Sequence, residues 1–233
     1  MIRAGTIRAV CFDVDDTLID YSASAPYGLA AILGPDADIR VWDALTVALH
    51  RMYEVGLVDH TTYQRMRLSA MLTTLGRPVP SAEVLDELET RRRTAATSRL
   101  ALYDDVTPCL AALRRAGLSL AVLSNADGSS QRRRLDVLGL ADAFDTVVLS
   151  GETGVAKPDV AAFHHVCDRL GLSPHQVLHV GDCVETDVAG ALAAGLTAVH
   201  IDRGQSTDRD LPATGLRIHS LLELDDLLAE KGQ

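Results

Sequence analysis

Two aspartates and a threonine, Asp13, Asp15 and Thr17, follow an apolar run near the start of the chain. Open parallel α/β sheets bind ligands at the carboxyl ends of their strands, so a buried strand over 8–14 would place these side chains where ligands bind. Two carboxylates this close in a water-poor site repel each other unless a proton or a cation compensates them. The same residue types also form ordinary turns and caps, so the triplet alone leaves both interpretations open.

Two further polar groups follow apolar runs in the same way. Ser124 and Asn125 offer a hydroxyl, an amide and backbone N–H groups that suit phosphoryl oxygens, although Ser-Asn is also a common turn. Lys157 precedes Pro158, which restricts the backbone of the lysine and can begin the next helix. The ammonium group could neutralise a carboxylate or a phosphate, or it could lie in solvent.

A fourth group combines Gly181 and Asp182 with Asp187, in the first turn of the following predicted helix. Asp187 can point back to the strand end that carries Asp182, although a carboxylate there also complements the helix dipole. If all four groups share one sheet edge, their carboxylates outnumber Lys157, and another cation is needed. Oxygen ligands of this kind favour Mg²⁺ over zinc, and a phosphate ester would be a natural fellow ligand.

Five apolar runs predict the strands that would bring these groups together. Each run is separated from the next by a helical pattern, an alternation typical of a Rossmann-like, doubly wound parallel sheet of the α/β class. The runs are residues 8–14, 118–123, 146–149, 177–180 and 197–201. Capping residues predict where helices begin and end. Thr107-Pro108 predicts a helix start, and Gly195 predicts the end of an Ala-rich helix over 185–194.

Residues 20–99 show helical periodicity without a strand-like run, which predicts a helical domain inserted into a core formed by 1–19 and 100–233. Trp42 begins an apolar stripe typical of a helix core, and Thr61 or Thr62 and then Ser81 are predicted to start two further helices. Side chains of the insert that could contact a substrate are Tyr21, Trp42, Arg51, Tyr53 and Tyr63.

Composition excludes several classes of partner. The net charge of −10 disfavours nucleic acid and anionic membranes as partners. No apolar stretch approaches the ~20 residues that span a bilayer, so a soluble cytoplasmic protein is expected. The cysteines are scattered without metal-binding spacing, so a zinc site or redox pair is not expected. They are Cys11, Cys109, Cys167 and Cys183.

Several polar residues have an ordinary structural explanation. The arginines at 91–93 and 132–134 lie on predicted helices of an acidic chain, so solvated faces are predicted there. His179 falls inside the fourth strand and is predicted to be a core residue. Cys183 could be reactive beside Asp182, but a small packing residue is favoured.

Taken in order, the motifs Asp-Val-Asp-Asp-Thr, Ser-Asn, Lys-Pro and Gly-Asp-x-x-x-x-Asp resemble those of the haloacid dehalogenase superfamily. The stretch Gly-Glu-Thr-Gly-Val-Ala-Lys-Pro-Asp at 151–159 is especially similar to the branch with a helical cap inserted after the first motif. The resemblance covers residues 8–18 and about 100–203, whereas the insert matches only in position and helical character.

The resemblance implies a Mg²⁺-dependent phosphatase that acts on a small phosphorylated metabolite through an aspartyl-phosphate intermediate. It implies that Asp13 is the nucleophile, Asp15 the general acid and base, and Lys157 a charge clamp. The implied phosphate-holding residues are Thr17, Ser124, Asn125 and Lys157. The implied Mg²⁺ site comprises Asp13, the carbonyl group of Asp15 and Asp182, with Asp187 steadying the metal shell.

Three alternatives remain open. A phosphomutase would use the same residues but return the phosphoryl group to its substrate. A 2-haloacid dehalogenase is disfavoured by Asp15, because the dehalogenases of this superfamily lack a carboxylate at that position. An interaction or regulatory module without turnover is disfavoured by the complete catalytic set. The sequence indicates neither the substrate nor whether the chain is a monomer or a homodimer.

Overall fold

The computed structural model describes residues 6–35, 37–54, 57–204 and 216–229. The chain divides into two compact units. One combines the residues up to Asp20 with those from Ala101 onward, and the other comprises Tyr21–Leu100. Within the described ranges, no helix combines the length and the apolar character needed to cross a lipid bilayer.

The first unit is built on a parallel sheet whose strand order is β3-β2-β1-β4-β5-β6. The strands are β1 (Ala9–Phe12), β2 (Ser119–Ser124), β3 (Thr146–Leu149), β4 (Val177–Gly181), β5 (Thr197–Ile201) and β6 (Leu216–Ile218). All five predicted strands are confirmed. The sixth was not predicted, because three residues including a polar Arg217 make no apolar run. Every residue of β1 is buried, as its unbroken apolar sequence requires of a central strand covered on both faces.

The second unit consists of four helices in its described part. They are α1 (Tyr21–Leu33), α2 (Ile39–Glu54), α3 (His60–Thr74) and α4 (Ala82–Thr97). Trp42 is buried among leucines of α1, α3 and α4, which confirms the apolar stripe as core. Ser81 precedes α4 as predicted, but the start predicted for α3 is wrong. Asp59 is its N-cap and accepts a hydrogen bond from the N–H of Thr62 at 2.6 Å.

A buried ionic cluster corrects the prediction of a solvated face at 91–93. The side chain of Arg92 is 3% exposed and donates to both oxygens of Glu89, three residues earlier on α4, at 2.8 and 2.6 Å. The guanidinium of Arg67 lies 4.1 Å from the centre of the Trp42 ring and donates to the hydroxyl of Tyr63 at 3.0 Å. Arginine is buried here because a carboxylate and an aromatic face are available to it.

The remaining helices belong to the first unit. They are α5 (Val106–Arg115), α6 (Gly128–Val137), α7 (Ser150–Thr153), α8 (Val160–Leu170), α9 (Gly190–Ala193) and α10 (Glu223–Ala229). The start predicted at Thr107 is wrong, because α5 begins directly after Asp105. The single helix predicted over 185–194 is a π-helical turn, Val184–Ala189, followed by α9. Gly195 follows α9 with a φ of +83°, which glycine adopts readily.

Candidate active site

The sheet brings three of the predicted groups to one edge. Phe12, the last residue of β1, pairs with Val122 of β2 and Val180 of β4. Because the three strands are parallel and adjacent, Asp13, Ser124 and Asp182 emerge side by side at their carboxyl ends. The N–H of Asp13 donates to the carbonyl of Val180 at 2.9 Å, which holds Asp13 against β4.

Lys157 lies at the centre of the charged residues. Its ammonium is 2.5 Å from Oδ1 of Asp13 and 2.6 Å from Oδ1 of Asp187, and its side chain is 3% exposed. Asn125 fixes the backbone that carries this lysine. Its Oδ1 accepts from the N–H of Lys157 at 2.7 Å, and its Nδ2 donates to the carbonyl of Lys157 at 2.8 Å. The side chain of Asn125 therefore positions Lys157. The helix after Pro158 starts at Val160, not at the proline, with Asp159 as its N-cap.

Asp187 points back to the end of β4, as its spacing from Asp182 predicted. Its Oδ2 accepts the N–H of Cys183 at 3.2 Å, and its Oδ1 lies 2.9 Å from Nε2 of His179. Gly181 makes this approach possible, because a Cβ at that position would overlap Cγ of Asp187. The thiol of Cys183 is half-buried, and burial raises its pKa, which does not favour a reactive thiolate.

His179 is the site residue that sequence reasoning assigned only to the core. It is fully buried in β4 as predicted, with the ring of Phe163 packed edge-on at 5.2 Å. However, its imidazole also contacts Asp187. A polar residue inside an otherwise apolar strand needs a hydrogen-bond partner. The sequence could therefore have indicated that His179 contacts a polar residue of the site, here Asp187.

The pKa values of the carboxyl groups show how unequal their surroundings are. Burial raises the pKa of Asp13 to about 7, against the opposing charge of Lys157. Burial, together with the charges of Asp13 and Asp187, raises the pKa of Asp182 well above its ordinary value. Burial has the same tendency at Asp187, but Lys157 and His179 outweigh it and lower the pKa of that carboxyl group. Asp187 is therefore the firmly ionised member of the cluster.

The carboxylate cluster has the chemistry of a magnesium site. Oxygens of Asp13, Asp182 and Asp187 all lie within 4.8 Å of one another. One lysine, Lys157, contacts two of the three carboxyl groups, so ionising all three requires a further cation. A set of hard oxygen donors with excess negative charge fits Mg²⁺.

Asp15 has an arginine partner, which corrects the prediction of a solvated face at 132–134. The Nη1 atom of Arg134 lies 3.0 Å from each carboxylate oxygen of Asp15, and the arginine side chain is only 12% exposed. Arg132, two residues earlier on α6, is about half exposed and pairs with Glu152 at 2.6 Å. Consecutive residues on a helix point in different directions, so a run of three arginines does not share one environment.

Two buried hydroxyl groups complete the predicted set. Thr17 is fully buried, and its Oγ1 has no hydrogen-bond partner among the described residues. Ser124 is buried at the last position of β2. The loop that carries Asp15 and Thr17 turns at Asp16, whose φ is +58°. The N–H of Asp16 donates to the carbonyl of Ile19 at 2.7 Å. Aspartate tolerates this left-handed conformation better than most residues.

Comparison with known proteins agrees with this geometry. Residues 7–195 match the family model of the haloacid dehalogenase-like hydrolases. The chain is 30% identical over 237 residues to the N-acylneuraminate-9-phosphatase of Mus musculus, and the match covers 95% of this chain and 94% of that protein.

Solved structures agree in fold. The structure of a HAD-hydrolase from Bacillus subtilis bound to magnesium superposes with a TM-score of 0.79 at 24% identity over 96% of this chain and 99% of that one. The 2-haloacid dehalogenase of Pseudomonas syringae superposes with a TM-score of 0.69 at 27% identity over 96% and 98%.

Proposed function

Since the chain belongs to the haloacid dehalogenase-like hydrolases, we propose that it is a Mg²⁺-dependent phosphomonoesterase acting on a small phosphorylated metabolite. The observation that carries the proposal is Asp13, bound to Lys157, with a second carboxylate two residues further on at Asp15. The first carboxylate would be the nucleophile and the second would move the proton. The phosphatase from Mus musculus supports the choice of phosphate esters as substrates.

The first half of the reaction transfers the phosphoryl group to the protein. An oxygen of Asp13 attacks phosphorus, and the bond between phosphorus and the ester oxygen breaks. Asp15 gives its proton to that departing oxygen, which leaves as the alcohol. Lys157, whose pKa is raised by its two carboxylate neighbours despite burial, stays charged and holds Asp13 in place.

The second half releases phosphate. Asp15, now ionised, takes a proton from a water molecule whose oxygen attacks phosphorus, and the bond between phosphorus and Asp13 breaks. Inorganic phosphate leaves, Asp13 is again a carboxylate and Asp15 is again protonated. Acid and base catalysis of this kind contributes ~10² to 10⁴ in rate.

Asp13, Asp182 and the carbonyl group of Asp15 would hold Mg²⁺, and Asp187 would steady the site. When bound, the ion supplies positive charge that offsets the negative charge of the phosphoryl oxygens. The hydroxyls of Thr17 and Ser124 would donate to the same oxygens. The buried Oγ1 of Thr17, which has no partner in the described part of the chain, supports this role. The division into a core of residues 1–19 and 100–233 and an insert of 20–99 is part of the proposal, with substrate selection assigned to the insert.

A panel of phosphorylated metabolites, assayed for free phosphate with and without Mg²⁺, tests the proposal. We expect phosphate release by the wild-type protein. The Asp13→Asn variant should be folded, with turnover lower by about a thousandfold or more. A folded Asp13→Asn variant with near wild-type turnover would rule out the covalent mechanism.

The same assay separates the alternatives. A phosphomutase would yield an isomeric phosphate ester without free phosphate. A dehalogenase would release halide from a 2-haloalkanoate, the reaction named for the Pseudomonas syringae structure. Binding without any turnover would indicate an interaction module.

A further inference from the structure

We propose that Arg134 is a positioning residue for Asp15, and that hydrolysis of the phosphorylated protein depends on it. The inference rests on the proposed function, in which Asp15 moves the proton. Its structural basis is the contact of one guanidinium nitrogen, Nη1, with both oxygens of Asp15 at 3.0 Å. The two residues are 119 positions apart in the chain.

Arg134 is held in place from its own helix. Gln131, one turn earlier on α6, is fully buried, and its Oε1 lies 3.3 Å from the same Nη1 atom. The start of α6 is fixed by Asp127, whose carboxylate accepts the N–H of Ser130 at 3.1 Å. Fixing a long arginine side chain costs conformational entropy, which the contacts with Asp15 and Gln131 offset.

Asp15 depends on this contact more than Asp187 depends on any one of its donors. Its side chain is 33% exposed, whereas that of Asp187 is 2% exposed and is fixed by several donors. Without Arg134, the carboxyl group of Asp15 could rotate among its staggered rotamers. A base must lie within hydrogen-bond reach of the water that it activates, and a misplacement of about 1 Å can cost ~10² in rate.

The two halves of the reaction should respond differently to a misplaced Asp15. An aryl ester such as p-nitrophenyl phosphate has a good leaving group, so the first half needs little help from an acid. The second half activates the same water with every substrate and always needs the base. Loss of Arg134 should therefore slow the second half and leave the first almost unchanged.

The test is the steady-state and rapid-quench kinetics of Arg134→Ala with p-nitrophenyl phosphate and Mg²⁺. We expect kcat and KM to fall together by about tenfold, while kcat/KM stays within about twofold. A burst of nitrophenol, about one per protein molecule, should precede the slow phase, and phosphorylated protein should accumulate in quenched samples. If Arg134→Ala does not fold, Arg134→Met keeps the aliphatic bulk and should give the same pattern.

Arg133→Ala is the matched control, because it removes the same charge from an exposed position on the same helix. We expect it to leave all three kinetic constants unchanged. An Arg134→Ala variant with unchanged kcat, or with kcat and kcat/KM reduced equally, would overturn the inference alone. Wild-type protein that never becomes phosphorylated would overturn the proposed function and the inference with it.

Discussion

Nε2 of His179 lies 2.9 Å from Oδ1 of Asp187, in the interior of the unit that contains the sheet. The same Oδ1 accepts a hydrogen bond from the ammonium of Lys157 at 2.6 Å. Burial lowers the pKa of His179, although Asp187 acts in the opposite direction, so the imidazole is neutral near pH 7. A neutral imidazole beside an ionised carboxylate must present its N–H to it, which places the proton on Nε2. His179 thus orients Asp187 without adding a charge.

Replacing His179 should weaken Mg²⁺ binding at the proposed site, although His179 is not a proposed ligand. In His179→Leu, Asp187 loses one of its donors while the buried volume is nearly kept. Because such outer partners orient the groups near a metal, we expect Mg²⁺ affinity to fall by about 10- to 100-fold. Calorimetric titration with Mg²⁺ measures this directly, with the exposed His175→Leu as control. Equal affinities in His179→Leu and wild type would contradict the role.

Asp182→Asn should separate the stability of the metal-free protein from that of the loaded protein. Burial and neighbouring charges make ionised Asp182 unfavourable without a cation, so a neutral amide should stabilise the metal-free protein. The same variant should lose the stabilisation by Mg²⁺, which we expect to be about 2.7 kcal/mol in wild type at a concentration 100 times Kd. Thermal unfolding with and without Mg²⁺ tests both expectations. A variant that Mg²⁺ still stabilises as in wild type would show that Asp182 is no ligand.

Lys157→Met should be destabilising as well as inactive. The change leaves the carboxylates of Asp13 and Asp187 buried without their cation. Breaking a buried ion pair by removing one partner costs about 3–5 kcal/mol. We expect a loss of that size in the free energy of urea unfolding, with turnover lower by about a hundredfold or more. Unchanged urea unfolding would mean that the carboxylates are hydrated or protonated.

The helical unit should lose stability in acid through Glu89. Burial raises the pKa of this carboxyl group, but the hydrogen bonds and charge of Arg92 and the charge of Arg67 outweigh it, so the pKa lies below its ordinary 4.5. Because the pKa of Glu89 is lower in the folded than in the unfolded protein, its ion pair contributes fully to the free energy of unfolding above pH 4.5. This contribution is lost as the pH falls through the pKa of Glu89 in the folded protein.

The variant for this test is Glu89→Gln. The difference in free energy of unfolding between wild type and Glu89→Gln should be constant above about pH 5 and should shrink below it. Urea unfolding from pH 7 down to the acid limit of the folded state gives this profile. A difference that grows on acidification would have the wrong sign and would contradict the ion pair.

The sequence predicted those parts of the site that depend on strand ends. Asp13, Ser124 and Asp182 could be placed together because parallel strands end at one edge. The contact between Arg134 and Asp15 could not be predicted, because it depends on how α6 is rotated against the sheet. A run of three arginines carries no sign of which one turns inward.

Helix N-caps and the edge strand of the sheet were also harder to predict, because neighbouring residues or a weak apolar pattern leave several assignments possible. Asp59 and Asp105, not the neighbouring threonines, precede α3 and α5, because several residues in each segment could serve as cap. Strand β6 is short and lies at the edge of the sheet, where few residues are buried and an apolar pattern is not required.

The position of β1 has a consequence for biosynthesis. This strand is translated before the other described strands of the sheet, yet it pairs on one side with β2 and on the other with β4, one of the later strands. Asp13 and Lys157, its partner, are 144 positions apart. Until β4 has been translated, the nascent chain therefore carries an apolar strand with one open edge, the kind of surface that chaperones cover and that otherwise aggregates.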